Sequence, residues 1–151
     1  MENEKISGKK ALPPLNDAQR RGLSCMLQIL DASLCEFELY AQGYEARAVM
    51  YRLDNTLTPR QRELLLAEIA SIRSIISEMK DTLRLYEDKA GARGKITAKC
   101  GTLWEGICEL RSKAMRRYGE MKPEQAHYLD PRVEELMDRV QRLAEIARRR
   151  Q

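Results

Sequence analysis

The chain has 151 residues, enough for one domain with a core of its own. It is 43% hydrophobic, 33% charged and only 5% aromatic, with a net charge of +4. This profile excludes a membrane-spanning or disulfide-stapled chain and favours long amphipathic helices. The charge is uneven: residues 93–119 carry 7 basic and 2 acidic side chains, an excess of +5.

Residues 1–15 read as a disordered N-terminal arm that is polar and runs through Pro13 and Pro14. Glu2 and Glu4 and the lack of an apolar stretch argue against a secretory leader. No apolar run is long enough to cross a bilayer.

Residues 16–151 read as a single helical-bundle domain. Asn16, or Asp17 beside it, can cap the first helix, with Gln19 as the reciprocal partner. An apolar seam follows at Leu23, Leu27, Leu30, Leu34, Phe37, Ala41 and Tyr44. Its alternating steps of three and four keep it on one side of a helix. Gly43 is either a stop or an interior residue. The repeat continues through Ala48 and Tyr51, which predicts a continuous or kinked helix to about Leu53. Asp54 and Asn55 then form a turn.

Thr58, Pro59 and Gln61 make a capping box with proline in the first helical position. The second helix is expected from Pro59 to about Asp88, with a seam at Leu65, Ile69, Ile72, Ile76, Met79, Leu83 and Tyr86. Residues 57–70 resemble the opening of the LuxR-type helix-turn-helix domain. That family needs a turn and a recognition helix next. Here the heptad runs on through Ile72 and Ile76, and a capped amphipathic helix accounts for the same residues.

Gly91 and Gly94 bracket a link to a third helix over 94–118, with a seam at Ile96, Cys100, Leu103, Ile107, Leu110 and Ala114. Gly119 is its stop. A loop holds Pro123, His127 and Tyr128. Asp130 and Pro131 open a fourth helix to residue 149, with a seam at Val133, Leu136, Val140, Leu143 and Ala147. The expected fold is all-α: an antiparallel four-helix bundle with heptad-type, coiled-coil-like packing, its first two helices longest. Cys25, Cys35, Cys100 and Cys108 lie on or beside the seams and read as reduced, structural thiols.

No nucleophile–base pair or phosphate loop is present, so no catalytic residue and no cofactor are expected. Glu124 and His127 have a metal-type Glu-x-x-His spacing. The chain has one histidine, so a second such pair cannot form, and both read as loop residues. Trp104, Arg111 and Tyr118 recur every seven residues on one flank of helix three and are of the types enriched at binding hot spots. They are the candidate partner-binding residues. Lys95, Lys99, Lys113, Arg116 and Arg117 form a candidate basic patch.

The expected function is a non-catalytic, cytoplasmic helical protein-interaction module that binds a protein partner or itself, as a homodimer. The alternative is a nucleic-acid-binding accessory protein using helix three and the C-terminal arginines. No membrane partner is expected.

Overall fold

The computed structural model describes residues 12–149. It is mostly helical, with α1 (Asp17–Ala41), α2 (Pro59–Leu83), α3 (Ala92–Cys108), α4 (Ser112–Met115) and α5 (Pro123–Arg148). A two-stranded hairpin, β1 (Ala46–Arg47) and β2 (Arg52–Leu53), separates α1 from α2, and a 3-10 turn follows α4 at Arg116–Tyr118. Contacts within the chain gather into two units, Met1–Asp88 and Lys89–Gln151. The expected N-terminal arm lies mostly outside the described residues. Residues 12–15 form neither helix nor strand.

In the first unit, Asn16 is the cap. Its side chain accepts from the Gln19 amide at 2.8 Å, and the Gln19 side chain accepts from the Asn16 amide at 3.0 Å. Asp17 is the first helical residue and pairs with Arg20.

The helix does not continue to Leu53 as expected; it stops at Ala41. Gly43 has φ +91, a conformation open to glycine and strained for other residues. The Gly43 amide then reaches the Tyr40 carbonyl and the Tyr44 amide reaches the Leu39 carbonyl, the paired bonds of a Schellman stop. Asn55 locks the ending from outside. Its Nδ2 donates to the Tyr40 carbonyl at 2.7 Å and to the Tyr44 carbonyl at 3.1 Å. Twelve residues expected to be helical, 42–53, are therefore a turn and a β-hairpin.

The Thr58–Gln61 box opens α2, with Pro59 first. The helix is unbroken but ends at Leu83, short of Asp88, with Arg84 left-handed at φ 52. Only part of each expected seam faces inward: Leu23, Phe37, Leu65 and Tyr86 are exposed, and Ser24, outside the seam, is buried. Leu34, Ala41 and Ile69 are buried; Leu27, Ile72, Ile76, Met79 and Leu83 are half-buried. Ser24 Oγ accepts from the Tyr86 amide, and Arg73 bonds Glu38 at 2.6 Å. Early α1 thus meets the chain after α2, and late α1 meets the middle of α2, so the two helices run in opposite directions.

In the second unit, α3 ends at Cys108, ten residues before the expected stop. The chain turns through Glu109–Arg111 and makes the short α4 and the 3-10 turn. Asp130 explains the break. It was expected to cap its own helix. Instead it accepts from the Ser112 amide at 2.8 Å and from Ser112 Oγ at 2.7 Å, capping α4.

The last helix begins at Pro123, not Pro131, so α5 is the longest at 26 residues. The first two helices are therefore not the longest. Pro131 lies inside α5 and removes one helical bond, from the carbonyl of exposed His127. The inward residues are Val133, Met137 and Ala144, all buried; the expected seam residues Leu136 and Leu143 are 49% and 54% exposed. Cys108 lies 3.9 Å from Met137, and Arg111 bonds Glu134 at 2.7 Å, so α3 and α5 also run in opposite directions.

Gly43→Ala places a Cβ 2.7 Å from the Arg62 guanidinium on left-handed backbone. It should lower stability by about 1–2 kcal/mol. Gly22 lies inside α1 with open space around its Cβ position. Gly22→Ala should raise stability by about 0.5–1 kcal/mol. Urea unfolding followed by circular dichroism checks both signs.

Candidate interaction site

Two helices side by side bury only the stripe where they meet. Among the described residues the buried apolar side chains are Leu34, Ala41, Ile69, Cys100, Val133, Met137 and Ala144. Much apolar surface is left outside. In helices that run opposite ways, the residue just before each inward one falls on the same side of the pair. In the first unit that side carries Leu23, Met26 and Phe37 from α1 and Leu64 and Ile75 from α2, between 36% and 60% exposed. An open groove of about 500 Å³ lies at the start of α2, lined by Leu57, Gln61, Leu64, Leu65 and Glu68.

The β-hairpin is more exposed still. Ala46 pairs with Leu53 and Arg47 with Arg52, and the Ala48 amide closes the turn on the Tyr51 carbonyl at 2.8 Å. Val49 and Met50 occupy the corner, 98% and 95% exposed. Turn corners favour Gly, Asn, Asp, Ser and Pro, each for a backbone reason. Val and Met offer the turn none of these. Sequence reasoning missed this tip, because Ala48 and Tyr51 keep heptad spacing. The available signal was Gly43 followed by Asp54 and Asn55, which bracket a short non-helical segment.

The expected partner-binding residues do not share one helical flank. Trp104 lies on α3 at 38% exposure. Arg111 sits in the break after α3, held by Glu134, and Tyr118 stands 74% exposed on the 3-10 turn. The basic patch is likewise divided. Lys95 and Lys99 belong to α3, Lys113 to α4, and Arg116 and Arg117 to the 3-10 turn. Arg117 pairs with Glu109 at 3.2 Å, and its guanidinium lies 4.9 Å from the centre of the Tyr118 ring. Of the C-terminal arginines, Arg148 ends α5 and Arg149 follows it. Arg150 lies outside the described residues.

Glu124 and His127 lie in the first turns of α5 rather than in a loop. Among the described residues no group of three or more His, Cys, Asp or Glu side chains could hold a metal. Cys100 is buried and Cys108 half-buried, but Cys25 and Cys35 are exposed, so their places beside the seam do not bury them. No helix among the described residues is long and apolar enough to cross a membrane.

The bonds from the Ser112 amide and hydroxyl hold the Asp130 carboxyl below its ordinary range. A carboxylate depressed in the folded state adds stability above its unfolded pKa, near 3.8. That contribution is lost as pH falls through the folded value. Asp130→Asn should therefore destabilise the second unit at neutral pH and lose less stability than the parent below pH ~4. Thermal melts across acid pH measure both effects.

Comparison with protein-family models, with curated proteins and with solved structures returns no match to this chain.

Proposed function

We propose that this chain is a non-catalytic, cytoplasmic protein-interaction module that self-associates through its first unit. The observation that carries the reading is the hairpin tip. A β-turn with Val49 and Met50 at its corner places two apolar side chains almost fully in water. Nothing in the turn requires them, and exposed apolar surface concentrated in one place marks a contact site. The apolar side of α1 and α2 and the groove by Leu64 belong to the same unit, which supports a contact larger than the tip alone.

A two-fold contact pairs one surface with itself. Two copies of the α1–α2 pair bring together four long helices. We place the antiparallel four-helix packing that the heptads imply in that dimer. The edge of this apolar side carries uncharged Gln19, Ser33, Ser71 and Thr82 together with Glu68 and Glu78, so a two-fold contact must hold those carboxylates apart.

The test is mass in solution. Light scattering at micromolar protein should give about twice 17.5 kDa. Met50→Asp and Ile75→Asp alter exposed positions, so both variants should keep the parent's helical spectrum and fall to the monomer mass. A parent mass of 17.5 kDa across the concentration range removes the reading.

One observation favours a second reading, a nucleic-acid-binding accessory role. Lys113, Arg116 and Arg117 stand within six residues of sequence beside exposed Tyr118, and cations with an aromatic neighbour suit a single strand. On that reading, affinity for an oligonucleotide falls steeply with salt, and glutamate at these three positions abolishes it. Binding that is weak at low salt and indifferent to those changes eliminates it.

A further inference from the structure

The second unit has an uncovered side of a different character. On α5, Arg132, Leu136, Arg139, Leu143 and Ile146 recur at steps of four and three. They form a second seam beside the buried one. On α3, Ile96, Lys99 and Leu103 do the same. Because α3 and α5 run in opposite directions, both seams fall on one side of the pair. The apolar members are between 46% and 57% exposed. The charged members are all cations. The acidic residues Glu134, Asp138 and Glu145 each follow an inward residue and so lie on the other side. Among the described residues, Lys99 and Arg139 have no carboxylate within ion-pair distance. The unit as a whole carries 15 basic and 9 acidic side chains, a net +6.

We infer that the α3–α5 side of the second unit docks an acidic amphipathic helix of a partner protein, with apolar residues at heptad spacing and Glu or Asp beside them. The inference rests on the interaction-module reading and names the partner's chemistry. Charge selects this occupant. A second copy paired through the same side would set Lys99, Arg132 and Arg139 against themselves, and like charges facing each other are costly. Spacing selects a helix. Seven-residue rows of apolar knobs match the holes of another heptad helix. An anionic lipid surface has the charge but no register to match. Nucleic acid has the charge but gives Leu136 and Leu143 nothing to pack against.

The test uses the full chain and four probes. Two are synthetic helical peptides with identical leucine heptads, one flanked by Glu and one by Lys. The others are phosphatidylglycerol vesicles and a short DNA duplex. By fluorescence anisotropy, the Glu peptide should bind about tenfold or more tighter than the Lys peptide at physiological salt. Lys99→Glu with Arg139→Glu should reverse that preference, and Leu143→Asp should weaken binding to both peptides. These positions are exposed, so helical content should be unchanged in every variant. Light scattering of the charge-reversed protein should match the parent, which separates failure here from failure of self-association. Equal affinity for the two peptides, binding to neither, or a preference that survives charge reversal overturns the inference. So does vesicle or duplex binding tighter than Glu-peptide binding.

Discussion

The end of α1 decides the architecture of the first unit. A helix that ran on to Leu53 would consume the residues that form the hairpin and leave α2 no short return. Gly43 permits the left-handed turn, and the Asn55 side chain ties the helix end to the turn by donating to the carbonyls of Tyr40, in the last turn of α1, and Tyr44, just beyond it. The clamp reaches back from beyond the hairpin. The turn, the two short strands and the start of α2 are therefore fixed together. The exposed tip at Val49 and Met50 is held at the end of two paired helices because of that clamp.

The second unit solves a related problem with a charge. Asp130 lies within α5 and receives both hydrogen bonds that Ser112 offers. That contact ties the connection after α3 to a helix that begins eleven residues later, at Pro123. It also frees α5 from needing Asp130 as its own cap. Its start moves to Pro123, and Pro131 is left in the helix interior. One polar contact thus explains the shortened third helix and the lengthened last one.

Much of this was legible in the sequence, and the failures share a cause. The boxes at Asn16–Gln19 and Thr58–Gln61 are complete within four residues, so the helix starts they mark could be read directly. The inward seam of α2 is an unbroken heptad and was equally readable. What was missed depends on partners far along the chain. The end of α1 needs Asn55, and the break after Cys108 needs Asp130. Periodicity runs through both places undisturbed, since Ala48, Tyr51, Leu110 and Ala114 keep the spacing by composition alone. In α5 the seam was half right: Val133 faces inward as expected, but Met137 and Ala144 take the places expected of Leu136 and Leu143. Leu136 and Met137 are neighbours and both apolar, and hydrophobicity alone does not say which faces inward. The scattered positions of Trp104, Arg111 and Tyr118 follow from the missed break, because seven-residue spacing has meaning only inside one helix.

The division into two units also has a consequence in time. Each pair of long helices closes on near neighbours in sequence, α1 with α2 and α3 with α5. Such local closure is fast. The first unit can close once residue 88 has left the ribosome, while the residues just after it are still inside the exit tunnel. Its hairpin tip and apolar side are therefore displayed during synthesis. They are exposed before the basic second unit has emerged to fold.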